Sequence, residues 1–263
     1  MFDWVGTPFA GLEPWAVALI FAAYWFGFFV RGAFGFGSNM PIVLLTAWIF
    51  SPHHSLVLVA LTATFAQVHL LPQGLKGADW SVARPLLWGL LAGTALGVWL
   101  LTRISPVGLT LAMGLLISAI VLMDLTRTMD RLARLLDLRG RAVNFLLAAT
   151  GGVMGNLSGG GGIYFLAPYL KWACRTPTDL RATNLVVAGL FMLQRILFLL
   201  PTGLLSGTIL MESLLLLPVV FFGTWSGGRL SRAVPPERFY RALQVFLIVA
   251  AAATLVRGIH ELL

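Results

Sequence analysis

Charged residues are scarce in this chain: they make up 11% of its 263 residues, whereas a soluble domain carries about 25%. Hydrophobic residues make up 59%, and the mean hydropathy is +0.90. This balance excludes an ordinary soluble protein. Several apolar stretches approach or reach the roughly 18 residues that indicate a spanning helix, namely 14–30, 56–71, 85–101 and 106–123. We therefore expect an all-α, polytopic membrane protein.

Other absences exclude further classes. The chain has a single cysteine, Cys174, which excludes an intramolecular disulfide. It has no HxxxH, no CxxC and no carboxylate pair at ligand spacing, so we expect neither a metal nor another cofactor. No Lys or Arg precedes Arg31, so a basic signal-peptide leader is missing and the first apolar run should stay as a helix. The net charge of +8 does not indicate nucleic-acid binding, because the cations fall in short loops between apolar runs.

Glycine clusters interrupt the apolar pattern at two matching places. We call them the first glycine motif, Gly35–Pro41 (GFGSNMP), and the second glycine motif, Gly159–Tyr164 (GGGGIY). The same distance separates Gly35 from Pro52 and Gly160 from Pro177. Glycine costs a helix about 1 kcal/mol per residue, and inside a membrane unwound backbone is tolerated only where it lines a cavity or is buried in protein. The two motifs therefore predict a substrate site built from broken helices.

The hydropathy pattern predicts ten apolar segments, five in each half. In the first half they run over roughly 14–31, 39–50, 54–72, 82–102 and 106–124, and in the second over roughly 142–156, 161–173, 179–200, 207–231 and 237–258. The second segment of each half is short, which favours a half-helix that reaches only the bilayer midplane. We divide the chain accordingly into a first membrane repeat (1–125), a basic cytoplasmic linker (126–141) and a second membrane repeat (142–263).

Two glycine ladders support an internal duplication. Small residues about four apart on a helix let two backbones approach closely, and the fourth segment of each half carries such a series: Gly89, Gly93 and Gly97 in the first, and Gly223, Gly227 and Gly228 in the second. Any one of these could reflect the general abundance of glycine in membrane helices. The ordered series in both halves favours duplication.

Charge predicts the topology. Lys and Arg concentrate in the cytoplasmic loops of membrane proteins, and the stretch 124–141 holds five arginines, so we assign it to the cytoplasm. If every segment crosses, the other basic clusters fall on the same side and both termini lie outside. An odd number of crossings per half makes the halves inverted repeats in the cell (inner) membrane.

The glycine motifs predict an anion site that needs no buried cation. Backbone without side chains offers free N–H groups, and a helix that begins just afterwards points its positive end at the cavity. The alternative is that the glycines only permit tight packing. The predicted substrate-binding residues are these glycines and the polar residues beside them: Gly35, Gly37, Ser38, Asn39, Asn156, Ser158, Gly159, Gly160, Gly161, Gly162 and Tyr164.

Two further pairs of polar residues lie within apolar segments. Gln67 and Gln194 occupy similar positions in the two halves and are predicted to bind substrate, or alternatively to make helix–helix hydrogen bonds. Arg195 and Glu212 flank the turn at 201–207 at almost equal distances, and an isolated intramembrane charge is costly, so we expect a mutual ion pair. If the pair is functional, Glu212 takes up a proton or Arg195 attracts the anion. Its structural form only joins two helices.

These motifs resemble those of the TauE/SafE family of sulfite exporters, also called the TSUP family. The resemblance covers nearly the whole chain and rests on the paired motifs with trailing prolines, the glycine ladders, the basic central loop and a signature before the fourth segment: Pro41, Pro52, Pro168, Pro177 and Gly77-Ala78-Asp79-Trp80. It implies transport of sulfite, thiosulfate, sulfoacetate or other organosulfonates, coupled to an ion gradient. Ser38 and Asn39 stand where the family has further glycines, which is compatible with a larger or more polar ligand.

The leading hypothesis is therefore a proton-coupled secondary transporter that works by alternating access, and not an enzyme. Its partners would be a small anion and the bilayer, and the sequence leaves open whether it forms a homo-oligomer. One alternative is an intramembrane hydrolase with Ser158 as nucleophile and His53, His54 or His69 as base. The other is an anion channel of the same architecture.

Overall fold

The computed structural model describes residues 6–34, 37–68, 71–126, 128, 131, 141–160, 162–230 and 236–262. Over these residues the chain is helical and contains no strand. The helices are α1 (Pro14–Phe34), α2 (Asn39–Thr46), α3 (Pro52–Val68), α4 (Leu71–Gly77), α5 (Trp80–Arg103), α6 (Pro106–Leu125), α7 (Arg141–Leu157), α8 (Gly162–Ala173), α9 (Pro177–Leu199), α10 (Gly207–Leu230) and α11 (Pro236–His260), with a 3-10 turn at Leu200–Thr202.

Six of the described helices are long and apolar enough to cross a membrane: α1, α5, α6, α9, α10 and α11. The all-α membrane class is therefore confirmed. Helices α3 and α4, which differ in direction by 59°, add a seventh span if they are counted together. Helix α2 has 8 residues and α8 has 12, which at 1.5 Å per residue is about 12 and 18 Å, well short of a membrane core about 30 Å thick.

Two segment boundaries differ from the prediction for local reasons. The segment predicted over 54–72 is divided between α3 and α4, because Pro72 has no N–H to donate to the carbonyl of Val68, four residues earlier, and its ring crowds that carbonyl. The segment predicted over 39–50 ends as a helix at Thr46, whose hydroxyl donates to the carbonyl of Ile42. The linker predicted over 126–141 lies almost wholly outside the described residues.

Polar caps fix where several helices begin. Asp79 caps α5 by accepting a hydrogen bond from the Ser81 N–H. It also accepts one from the Ser81 hydroxyl, and this second bond is the main cause that lowers the pKa of Asp79, which lies outside the spanning helices. Ser105 caps α6 and Thr176 caps α9, each just before a proline at the first helical position. A capped N-terminus followed by proline is a strong helix start, so these ends follow from local sequence.

The two glycine ladders form very close helix contacts. In the first half, a Cβ added at Gly93 of α5 would lie 2.0 Å from the carbonyl oxygen of Ala149 in α7. In the second half, a Cβ added at Gly227 of α10 would lie 2.0 Å from the carbonyl oxygen of Phe29 in α1. Each ladder thus packs against the first long helix of the opposite half, α5 on α7 and α10 on α1.

We expect Gly227→Ala to lower the melting temperature of the purified protein clearly, because the added methyl group meets backbone that cannot move aside. Overpacking of this kind costs about 1–3 kcal/mol. Gly228→Ala is the matched control, since its Cβ would stay 3.6 Å from the nearest atom, the carbonyl oxygen of Gly32. Equal melting temperatures for the two variants would show that this helix contact is not as close as described.

The last helices of the two halves also pack together, α6 against α11. Asp124, near the end of α6, accepts hydrogen bonds from the Tyr240 hydroxyl and the Gln244 amide of α11, both at 2.6 Å. These residues line a small cavity that also reaches Met40 of α2. The two halves therefore contact each other through several reciprocal helix pairs.

Candidate functional site

The structure brings the two glycine motifs into contact. Gly160 lies against the side chain of Asn39, the first residue of α2: a Cβ at Gly160 would be 2.9 Å from Asn39 Nδ2. Gly159 lies against Val43, one turn further along α2, with its added Cβ 2.5 Å from Val43 Cγ2. Gly159 and Gly160 have φ of +76° and +135°, and Gly37 in the first motif has φ of +91°. Only glycine adopts these angles readily, so the backbone here requires it.

Two short helices begin at this contact. Helix α2 begins at Asn39 and α8 at Gly162, so both present the N–H groups of a first turn where the motifs meet. The Ser38 hydroxyl does not cap α2 and instead donates to Asn39 Oδ1 at 2.6 Å. The first-turn N–H groups of α2, which no side chain caps, and the positive ends of the two helix dipoles favour an anion.

The contact is closed to solvent in this conformation. Ser38 is 4% exposed and Asn39 7%, while Asn156 and Ser158 are fully buried. The Asn156 amide donates to the Gly152 carbonyl, and the Ser158 hydroxyl donates to the Met154 carbonyl. A solute can therefore reach this place only after helices move apart.

Arg195 of α9 supplies a buried cation beside the second motif. Its side chain is fully buried. Nη2 donates to two carbonyl oxygens, Leu56 of α3 at 3.1 Å and Asn156 of α7 at 3.3 Å. Among the described residues, Nε and Nη1 of Arg195 have no hydrogen-bond partner, and Oδ1 of Asn156 has none either. Buried donors without acceptors are rare and costly, so this guanidinium is suited to an acceptor that arrives from outside the chain.

The predicted ion pair between Arg195 and Glu212 is wrong. Glu212 of α10 contacts His54 of α3, with His54 Nε2 2.6 Å from Glu212 Oε2, and it also accepts a hydrogen bond from the Phe9 N–H at 3.0 Å. Adjacency in sequence misled the prediction. Helix α10 packs mainly on α1 and α3, whereas α9 packs on α3, α4 and α5, so the two charges face different neighbours.

Gln67 and Gln194 make the helix–helix contacts that were the alternative to binding. Gln67 donates to the Leu185 carbonyl of α9 and accepts from Nη2 of Arg31 in α1. Gln194 donates to the Leu87 carbonyl of α5 at 3.5 Å. Their role in binding substrate stays a prediction. Thr183, another polar residue of α9, accepts from the Asp79 N–H.

Sequence reasoning did not assign the partners of two side chains, Arg31 and His54. Arg31 lies four residues before Gly35, as Asn156 lies four residues before Gly160, and this matched spacing could have drawn attention to it. His54 was named only as a candidate base of the hydrolase alternative, and no spacing rule links it to Glu212. Of the predicted site residues, Gly35 and Gly161 lie outside the described residues, as does the side chain of Tyr164.

The fold and the site define a polytopic membrane protein in which two helix breaks contact each other and a buried arginine lies beside the second. The profile of the sulfite exporter TauE/SafE family matches residues 19–254. The chain therefore belongs to this family, whose members are transporters and not enzymes. It is 23% identical over 235 residues to the "Probable sulfite/organosulfonate exporter TauE" of Cupriavidus necator, a match that covers 89% of this chain and 91% of that protein. No solved structure matches the chain.

Proposed function

We propose that this protein is a secondary transporter that carries a small sulfur-containing anion, such as sulfite, thiosulfate or sulfoacetate, across the cytoplasmic membrane. The contact between Asn39 and Gly160 is the observation that carries the proposal, because it joins two helix N-termini from opposite halves. The relative from Cupriavidus necator, named for sulfite and organosulfonates, supports this substrate class. A sulfonate or sulfite group offers three oxygens to N–H donors.

The proposed binding site combines main-chain donors with one cation. Gly35, Gly37, Ser38 and Asn39 would approach the anion from the first motif. Gly159–Gly162 and Tyr164 would do so from the second motif, with Asn156 and Ser158 just before it. Arg195 is added to this set because its guanidinium contacts the Asn156 carbonyl through Nη2, while Nε and Nη1 have no partner among the described residues. The cation offsets the cost of desolvating the anion, while the helix ends orient it.

The proposed architecture is a pair of inverted repeats, 1–125 and 142–263, joined by the basic linker on the cytoplasmic side. Reciprocal packing supports it: α1 packs on α10 as α7 packs on α5, and α6 packs on α11, its counterpart. Movement of one repeat against the other would open the buried site alternately to the two sides. A proton is the proposed coupling ion.

A thermal-shift screen tests the function directly. Purified protein is heated with sulfite, thiosulfate, sulfate, taurine, isethionate and sulfoacetate, and with chloride as the control anion. We expect at least one sulfur anion to raise the melting temperature in a saturable manner, since a ligand at about 100 times its Kd stabilises a protein by about 2.7 kcal/mol. No stabilisation by any of these anions, with folded protein, would contradict the proposal.

We expect Asn39→Ala to reduce that stabilisation, because the amide beside Gly160 is lost from the site. The loss of one hydrogen bond to a charged ligand costs about 1.5–3 kcal/mol. Asn144→Ala is the matched control, an equally buried asparagine of α7 distant in sequence from both motifs. If the two variants lose the same share of the anion-induced shift, Asn39 does not contact the anion.

The two alternatives predict different results. Ser158 donates to its own helix and His54 contacts Glu212, so the described geometry does not assemble a nucleophile with its base.

A channel would conduct without saturation at low concentration. In proteoliposomes preloaded with unlabelled anion, a carrier shows counterflow of labelled anion, and its absence alongside rapid anion flux would favour the channel.

A further inference from the structure

Glu212 is a buried carboxylate that pairs with no Lys or Arg in the described part of the chain. Its side chain is 3% exposed, and both of its oxygens are engaged, Oε2 by Nε2 of His54 at 2.6 Å and Oε1 by the N–H of Phe9 at 3.0 Å. Within the described part of the chain, His54 is the only ion-pair partner within 4.0 Å. A negative charge held this way in an apolar bundle is costly unless a proton neutralises it.

We propose that His54 and Glu212 together form the site that binds the coupled proton. The two groups are 2.6 Å apart, so a hydrogen lies between them, and the pair is electrically neutral when it holds one titratable proton on either member. Loss of that proton leaves one buried negative charge. The inference rests on the transport function proposed above and identifies where its driving ion binds.

Helix α3 links this pair to the anion site. His54 and Leu56 lie on the same turn of α3, and the Leu56 carbonyl accepts from Arg195. An anion bound at Arg195 adds negative charge nearby and so favours the protonated pair. By reciprocity the protonated pair binds the anion more tightly. Proton and anion should therefore bind together, with an affinity for the anion that falls as pH rises.

The pair also joins the two halves, since His54 is in α3 and Glu212 in α10. Movement of one half against the other would separate them and expose the proton to one side. The segment 6–12 covers this end of the bundle: the Gly6 N–H donates to Thr208, and Phe9 packs on Phe50, whose ring stacks on His54 at 4.3 Å. Phe9 has φ of +57°, an uncommon angle for a bulky residue, held in place by these contacts.

Few other titratable groups lie near the pair. Tyr24 of α1 is within electrostatic range of Glu212, Arg195 of α9 contacts the same turn of α3, and His53 points elsewhere, to the Leu101 carbonyl of α5. The remaining charged groups on the described helices packed against α3 and α10 lie near the opposite ends of those helices or on α4: Arg31, Lys76, Asp124, Asp179, Arg181 and Arg229.

The test uses Glu212→Gln in proteoliposomes with labelled sulfoacetate, whose sulfonate and carboxylate both stay ionised near neutral pH. Wild-type protein should accumulate the anion under an imposed pH gradient and exchange it without one. Glu212→Gln should lose gradient-driven accumulation by about tenfold or more, a coupling of typical size, while exchange at equal pH stays within about twofold. Anion affinity should fall with rising pH in the wild type and stay flat in the variant.

The control and outcomes separate this inference from the function itself. His54→Gln should also lose gradient-driven accumulation and keep exchange, and it replaces Glu212→Gln as the test if that variant does not fold. His53→Gln is its matched control and should behave like the wild type, because only His54 contacts the carboxylate. Gradient-driven accumulation retained in both Glu212→Gln and His54→Gln would overturn the proton site alone. Failure of the wild type to exchange any of the screened sulfur anions would overturn the transport function on which the inference rests.

Discussion

Arg195→Met should raise the melting temperature of the anion-free protein and abolish its stabilisation by the transported anion. Without an anion, the guanidinium is fully buried, and Nε and Nη1 have no hydrogen-bond partner among the described residues. Burying an ion without a counter-charge costs several kcal/mol, and an apolar side chain of similar length avoids that cost. With an anion, the same change removes the proposed cationic partner.

The expected loss of affinity is large. Removing one member of a buried, hydrogen-bonded charge pair costs about 2–5 kcal/mol, equivalent to at least about 30-fold in Kd. Isothermal titration of purified protein with sulfite or sulfoacetate measures it, and thermal unfolding without ligand measures the opposite effect on stability. The two opposed changes together distinguish a binding residue from a structural one, which would lose stability in both states.

Arg257→Met is the matched control for this experiment. Arg257 of α11 also donates to a main-chain carbonyl, that of Ala47, but it pairs with Glu261 and is partly exposed. It should show neither the gain in stability nor the loss of anion affinity. If Arg195→Met binds the anion within about twofold of wild type, well below the effect of losing a buried charge pair, Arg195 does not hold the anion.

Gly160→Ala should abolish transport and destabilise the protein. Two effects add: alanine is strained at φ of +135°, and its Cβ would lie 2.9 Å from Asn39 Nδ2 and 3.2 Å from Asn39 Cβ. A strained backbone conformation costs about 1–3 kcal/mol, and the clash separates the two motifs further. Transport assays and thermal unfolding should both report the change.

Gly203→Ala separates the two effects. Gly203 also has positive φ, +74°, but an added Cβ there meets nothing within 4 Å. This variant should show a modest loss of stability from backbone strain and keep its transport rate. If Gly160→Ala transports as well as Gly203→Ala does, close contact between the two glycine motifs is not needed for function.

The sequence predicted the fold class well because membrane burial acts on long, simple patterns. The apolar runs, the capped starts at Ser105 and Thr176, and the ladders at Gly93 and Gly227 are local signals whose physical cause is local. The break between α3 and α4 has a local cause, Pro72. It was not predicted, because the apolar pattern continues across it.

The partners of buried charges could not be predicted in the same way. Arg195 and Glu212 flank the same turn, at 201–207, yet each contacts a side chain or a carbonyl of the other half of the chain. Which helices become neighbours depends on the packing of the whole bundle, as the α1–α10 and α5–α7 pairs show. No spacing in the sequence encodes the contact between His54 and Glu212.

The position of the bound anion tests the central claim most directly. Selenite is a heavier analogue of sulfite, and its selenium can be located by anomalous diffraction in crystals of the purified protein. We predict one peak at the junction of Asn39, Gly160 and Arg195, where the starts of α2 and α8 meet. A peak elsewhere in the bundle, with this junction still closed and empty, would contradict the account.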